Sequence, residues 1–346
     1  MATPDVTVRG GGIFGLSVAW ACLRRGATVR LIEKHKIGAG ASGGLVGALA
    51  PHVPENWNPK KQFQLESLLM AESWWAEIAD ASGQDPGYAR LGRVQPLQDA
   101  RSVDLAKGRI AGATELWGGR ATWEVTTGAG GWSVESPTGR FVRDTLSARL
   151  HPRRASEALA AAIRARGGEI VEGVEAAEEG TVVHAAGWEG LEDLSALFAR
   201  PVGNGVKGQA ALLAHDARDL PQLFVDAVHV VPHADGTTAI GSTSEREFDD
   251  PSATDAQLDT LIEKVRALVP SLREAVVIAK WAGVRPRARS RAPMLGEWPG
   301  RPGHFIANGG FKIGFGIAPK VGEVMADLIL EGSDGIPTGF RLEDNL

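Results

Sequence analysis

Apolar residues along this chain follow two periods, and the first switch between them comes at once. Val6-Thr7-Val8 is a short apolar run that stops at glycines. Ile13, Leu16, Trp20 and Leu23 then recur at the spacing of one helical face. Gly26 closes that helix, and Thr28 to Ile32 predicts a second strand ending on Glu33. Pro59 to Ala81 predicts a long helix whose apolar face carries Phe63, Leu65, Leu68, Leu69, Trp74, Trp75 and Ile78. Gly92 to Leu97 reads as a strand. Residues 100–143 show no clear period, and Trp117, Trp123 and Trp132 among them are expected in the core of a second domain. A helix over Ala155 to Arg166 leads into a strand at Glu169 to Val171, and Thr181 to Trp188 is an apolar strand meeting Gly187.

From Gly205 strands follow one another with few helices between them. Val206 to Leu213, Leu223 to Pro232 and Thr237 to Ser242 are three, with Asp235-Gly236 as a hairpin turn before the last. A helix marked by Leu258, Leu261, Ile262, Val265 and Leu268 precedes a strand at Ala275 to Ala282. His304 to Ala307 is a final strand, and a helix is expected to start near Pro319. The implied fold is α/β. A Rossmann-like domain on a parallel sheet takes residues 1–80, 144–204 and 283–346. A mixed or antiparallel sheet for a substrate takes 81–143 and 205–282.

Composition narrows the function classes. A chain of 346 residues has ample core for one large or two intimate domains. Its net charge of −5 speaks against a general nucleic-acid surface. No apolar run reaches the length of a membrane span, and the first strand begins too early to leave a signal peptide, so a cytoplasmic protein is expected. The single cysteine, Cys22, excludes an internal disulfide framework and a cysteine metal cluster. No metal site is expected.

The glycines at the first turn carry the first chemical signal. Gly10, Gly12 and Gly15 have the G-x-G-x-x-G spacing. The first permits the tight turn, the second lets a pyrophosphate approach the backbone, and the third lets helix and strand pack closely. The helix N-terminus behind Ile13 and Phe14 favours phosphate. Glu33 is placed to bind both hydroxyls of an adenosine ribose. The run from Lys34 to His52 is too glycine-rich for a helix and too apolar for a linker. Its small residues would let the backbone touch a planar ligand, with Ser42 as a phosphate donor.

Two later stretches add to this. In Trp281-Ala282-Gly283-Val284-Arg285-Pro286 an arginine ends an apolar strand. Its planar fork matches a carboxylate through two hydrogen bonds; a structural salt bridge is the other reading. Arg287, Arg289 and Arg291 read as solvated or phosphate-facing. In Asn308 to Pro319 a strand enters glycines before a helix. The N-terminus of that helix would set positive potential at the glycines, with Lys312 adding to it.

Together these stretches resemble the FAD-dependent D-amino-acid oxidase superfamily, and within it the glycine oxidase branch, over nearly the whole chain. The resemblance rests on the glycine turn, the Glu33 strand end, Gly40-Ala41-Ser42-Gly43, Gly47-Ala48-Leu49-Ala50-Pro51, Gly283-Val284-Arg285-Pro286 and the Asn308 to Pro319 segment. It implies non-covalent FAD, since Cys22 sits on the first helix. It implies contacts from Gly10, Gly12, Ile13, Phe14, Gly15, Glu33, Lys34, Ala41, Ser42, Gly43, Gly47, Ala48 and Leu49. Val174, Ala185, Gly187, Trp188, Gly310, Phe311, Lys312, Ile313 and Gly314 complete the implied cofactor set. Arg285 would grip a substrate carboxylate and aim its Cα–H at flavin N5. Departures occur at Gly310, where the family usually has histidine, at Ile313, where it often has asparagine, and at Lys312, where glycine oxidase has arginine. His229 stands where the family carries a tyrosine beside the substrate; it either takes that polar role, together with His52, or is a sheet histidine without one. The implied function is oxidation of a small amino acid or amine, of the glycine, sarcosine or D-amino-acid class, with oxygen as electron acceptor. Two alternatives are an FAD oxidase acting on the carboxymethylaminomethyl group of a tRNA wobble uridine and a non-catalytic FAD protein. A homo-oligomer is left open.

Overall fold

The computed structural model describes residues 3–174 and 176–346. Val6–Arg9 lies inside a six-stranded sheet ordered Met294–Glu297, His304–Asn308, Thr181–His184, Val6–Arg9, Val29–Glu33, Glu169–Glu172. All neighbours are parallel except the first pair. Parallel strands need crossovers, and helices supply them. Helix Ile13–Arg24 is buried on every side from Ile13 to Leu23, not on one face as its spacing suggests. It is enclosed because helices Pro152–Ala165 and Gly314–Glu331 pack against it, and Pro59–Ser82 packs on both of those.

A second sheet has eight strands, ordered Val276–Ala288, Gly203–Ala214, Thr238–Gly241, Val228–Pro232, Gln222–Val225, Arg93–Pro96, Phe141–Asp144, Trp123–Thr126. It is mixed, since Gln222–Val225 and Arg93–Pro96 run parallel while the other pairs are antiparallel. Successive side chains point to opposite faces. Leu223, Val225, Val228, Val230 and Ile240 join Leu258, Ile262 and Val265 of helix Ala256–Leu268 in one apolar cluster. The opposite face carries Ala210, Ala239 and Trp281, packed on Leu45 and Val46. Phe224, His229, Gly241 and Arg285 alternate onto that same face. The sheet thus turns its polar positions toward the loop that follows Glu33. A short ladder between Ala48–Leu49 and Ala148–Arg149 anchors that loop.

Several elements differ from expectation. Leu223 to Pro232 is two strands, because Asp226 and Ala227 turn the chain with φ of +45° and +64°. Neither is a glycine, and Asp226 followed by Ala227 inside an apolar run is a weak turn signal. The strand expected at Ala275 to Ala282 runs on to Ala288, through the domain boundary expected at 283, and Arg285 lies within it, not at its end. Helix Ala100–Leu116 has no visible period because it buries only Ala106 and Ala113; Asp99 and Ser102 cap it in a reciprocal pair. The strand expected through Trp188 stops at His184, and helix Gly187–Leu197 follows, burying only Leu191 and Leu194. The last helix begins at Gly314, with Pro319 inside it. Trp117, Trp123 and Trp132 are buried, and Trp123 Nε1 and Trp132 Nε1 donate to Ala106 O and Pro221 O.

Burial holds three histidines neutral. His184 and His233 are pushed down to about 4 and His229 to about 3, each chiefly by loss of hydration. An unfolded histidine titrates near 6.5. Below that value the unfolded chain binds more protons than the folded one, so stability present above it is lost as pH falls. The urea midpoint is therefore expected to drop steadily between pH 7 and pH 4.5. A flat midpoint across that window contradicts this burial.

Candidate active site

The glycine turn lies at the carboxyl end of Val6–Arg9, between the neighbouring strands Thr181–His184 and Val29–Glu33. Ligands of open parallel sheets bind at such points. A Cβ on Gly10 would meet Ala185 O at 2.3 Å, and one on Gly15 would meet Gly10 O at 1.9 Å. Both glycines are therefore required by backbone packing. Gly12 differs: a Cβ there would meet only Ser42 Oγ, at 3.3 Å. The space in front of it is open. Gly12 caps the first helix without a side-chain bond, and no acidic residue occupies the first turn. Ser42 Oγ accepts the Ile13 N–H at 2.9 Å, which leaves its own proton free to donate outward. This combination accommodates a phosphate.

Glu33 braces the same turn. Its carboxylate accepts the Gly11 N–H at 2.6 Å and the His35 N–H at 2.9 Å. Gly173 N–H donates to Glu33 O, so the Val174 bend lies beside this strand end, with Val174 itself 59% exposed. Lys34 is turned away to Glu189, 3.2 Å distant. The 3-10 turn Ala41–Gly43 follows, and Gly43 O accepts from Arg153 Nε. Gly47, at φ +65°, is pressed on Leu150 O, and Ala48–Leu49 pairs with Ala148–Arg149.

The segment 309–314 closes the other side. A Cβ on Gly310 would lie 2.8 Å from Phe14 Cζ, and one on Gly314 would lie 3.6 Å from Ile13 Cγ2. The N-termini of two helices, Ile13–Arg24 and Gly314–Glu331, therefore meet, and Ile313 caps the second without a side-chain bond. Phe311 N–H donates to Pro286 O at 3.0 Å, tying this turn to the arginine strand. Gly187 opens its helix with nothing near a Cβ, and Trp188 packs edge-on to Phe248.

Arg285 is 8% exposed. Its Nη2 donates to Ser242 Oγ at 2.7 Å and its Nη1 to Thr243 O at 3.4 Å. Among the described residues no carboxylate lies within ion-pair distance of it, so the salt-bridge reading of this arginine has no partner. Burial pulls its guanidinium down to about 10, opposed by the field of Glu245. It stays charged at neutral pH. Glu245 is already committed to Lys207, to Gln209 Nε2 at 3.0 Å and to the Thr243 hydroxyl. Gly208 makes the room: a Cβ there would fall 1.9 to 2.2 Å from the Arg285 guanidinium. Ser242, Thr243 and Gly208 were not anticipated. A glycine inside a strand pattern was the available signal for the last.

His229 faces the same side as Arg285. Burial, Arg93 and Lys312 together hold it neutral, and its Nδ1 is buried without a partner. His52 is placed differently: its N–H and its Nδ1 both meet Gln64 Oε1, and its charged neighbours are Lys60 and Lys61. Lys312 senses the charges of Arg285 and Arg287, and His229 senses those of Arg93 and Lys312. Among the described residues no group of three His, Cys, Asp or Glu could hold a metal, and no helix is long and apolar enough to cross a membrane.

The family model for FAD-dependent oxidoreductases, DAO, matches residues 5–328. The chain belongs to that family. It is an FAD-dependent oxidoreductase, and its relatives include glycine oxidases. The glycine oxidase of Geobacillus kaustophilus is 23% identical over 94% of this chain and 92% of its own length. A putative thiamine biosynthesis oxidoreductase of Rhizobium etli is 30% identical over 94% of this chain and 97% of its own. The crystal structure of the Geobacillus enzyme superposes with a TM-score of 0.85, covering 98% of both chains. The open face of Gly12, the free Ser42 proton and two uncapped helix ends fit the anionic and polar groups of FAD.

Glu33→Ala removes the brace on Gly11 and the acid expected to meet an adenosine ribose. Bonds to a charged group contribute about 1.5–3 kcal/mol. The Kd for FAD, from flavin fluorescence quenching on the apoprotein, is expected to rise about tenfold or more. An unchanged Kd would show that the adenosine lies elsewhere.

Proposed function

We propose that this chain oxidises the C–N bond of a small amino acid or secondary amine whose carboxylate is held by Arg285. The observation that carries the reading is a buried, charged guanidinium with no carboxylate partner among the described residues. Such a group is costly unless an anion reaches it. The names of the relatives, glycine oxidases, agree with this class of substrate. FAD is held by the glycine turn, Glu33, Ser42, the Ala48–Leu49 loop and the 310–314 turn, without a covalent link. Cys22 is fully buried and its thiol pushed up to about 12, so it is no thiolate at neutral pH. The two sheets divide the work, the parallel one carrying cofactor and the mixed one substrate.

Bound FAD supplies the acceptor for the hydride that leaves the substrate carbon. The chain supplies position. Ser242 and Thr243 fix the guanidinium plane, and the fork fixes the carboxylate in turn. Holding the reacting carbon in one orientation converts binding into rate. His229 remains a neutral imidazole and adds no charge. Loss of hydride leaves a C=N bond, which water hydrolyses. Oxygen is the proposed final acceptor.

Arg285→Lys keeps the charge and loses the paired geometry; Arg285→Met loses both. Truncating one side of a buried charge pair costs about 2–5 kcal/mol. Turnover kinetics should show kcat/KM for amino acids falling roughly 30-fold to several thousand-fold in Arg285→Met, with FAD retained. Acetate and benzoate should lose inhibition in parallel. If amino-acid turnover and carboxylate inhibition both survive, the substrate is not anchored there.

A further inference from the structure

Arg285 accounts for one negative charge on the substrate, and the site offers more positive charge than that. Lys312 follows Phe311, whose N–H is bonded to Pro286 O, so it is fixed beside the arginine strand. Lys312 Nζ lies 5.6 Å from the centroid of the Phe311 ring, and Arg287 Cζ lies 5.7 Å from the same centroid. Stacking on one ring holds both cations in place. Lys312 is exposed and accessible to a ligand. Among the described residues neither Lys312 nor Arg287 has a carboxylate within ion-pair distance. Partial burial and the two arginines, Arg285 and Arg287, push the Lys312 ammonium below its usual range. Its other sensed neighbour is His229, a neutral ring. Three cations therefore gather at one end of the site, and among the described residues none of them has a carboxylate within ion-pair distance.

Charge developing on a reduced flavin does not require this lysine, because the uncapped N-terminus of Gly314–Glu331 lies two residues away. The groups that Lys312 senses, Arg285 and His229, stand on the eight-stranded sheet. Through the Phe311–Pro286 bond, Lys312 stands beside the strand of that sheet that carries Arg285. We propose that the substrate is an amino dicarboxylate: Arg285 takes the carboxylate on the reacting carbon and Lys312 takes a second one. The inference rests on the reading of Arg285 given above. The second carboxylate can sit on the nitrogen substituent, as in iminodiacetate, or on a side chain, as in D-aspartate.

The test uses the purified holoenzyme and its Lys312→Met and Lys312→Arg variants. Turnover of iminodiacetate and D-aspartate is compared with that of glycine and sarcosine. Binding of malonate and acetate is read from perturbation of the flavin spectrum. The wild-type enzyme should favour a dicarboxylate by tenfold or more in kcat/KM. Lys312→Met should shrink that preference by about tenfold to a hundredfold, mainly through KM, as expected for one lost charged hydrogen bond. Lys312→Arg should keep most of it, and malonate should weaken relative to acetate in Lys312→Met alone. An equal loss for both substrate classes, or a shift in flavin potential without a change in preference, assigns Lys312 to the cofactor and overturns the proposal. Turnover of glycine or sarcosine with no preference for dicarboxylates also overturns it, while leaving the Arg285 reading intact. If neither class reduces the flavin and neither malonate nor acetate binds, the Arg285 reading fails and the proposal fails with it. The wild-type preference decides even if a variant does not fold.

Discussion

A charged guanidinium is kept out of water at Arg285 with no acid among the described residues to meet it. Desolvating such a group is unfavourable by several kcal/mol unless something anionic repays it. The surrounding residues leave it unpaired. Glu245, the acid whose field reaches it, is occupied by Lys207, Gln209 and Thr243. Gly208 clears the volume that the fork fills. Ser242 and Thr243 offer only neutral oxygens. The result is a positive socket preset in a sheet, the form in which a site can orient a carboxylate without reorganising.

The other half of the molecule sets where that socket must look. Two helices begin within contact of one another, at Ile13 and Gly314, and both begin without a side-chain cap. Their dipoles converge on the carboxyl ends of the parallel strands, with Ser42 Oγ already accepting the Ile13 N–H of the first. The 309–313 turn bonds to Pro286, so cofactor end and arginine strand are joined covalently distant but physically adjacent. A displacement of either would misplace the reacting carbon, and effects of that kind are large.

Much of this was legible in the sequence. The parallel unit could be read because its strand and helix residues switch cleanly from one period to the other around Gly10 to Gly15. Arg285 stood out because an arginine before proline in an apolar run is costly to bury, and its burial without an ion pair among the described residues is what that pattern led one to expect. What was not legible has physical causes. Helix Ala100–Leu116 hides its buried stripe in two alanines, and Gly187–Leu197 hides its own in two leucines. The hairpin at Asp226-Ala227 uses residues with no turn preference strong enough to mark it. The neighbours of Arg285 came from strands far off in sequence, and only the register of Gly203–Ala214 against Val276–Ala288 brings Gly208 to the fork. His52 and His229 look alike as isolated histidines; the structure separates them, one tied to Gln64 and the other facing the arginine side.

The most direct measurement is anaerobic reduction of the native holoenzyme by matched pairs of amines, each with and without a carboxylate on the carbon that loses hydride. Glycine against methylamine and sarcosine against dimethylamine are such pairs. The account predicts bleaching of the flavin by at least one carboxylate-bearing member and none by its decarboxylated partner. Bleaching by the plain amines at comparable rates would contradict the central claim that the buried guanidinium of Arg285 exists to hold a substrate carboxylate.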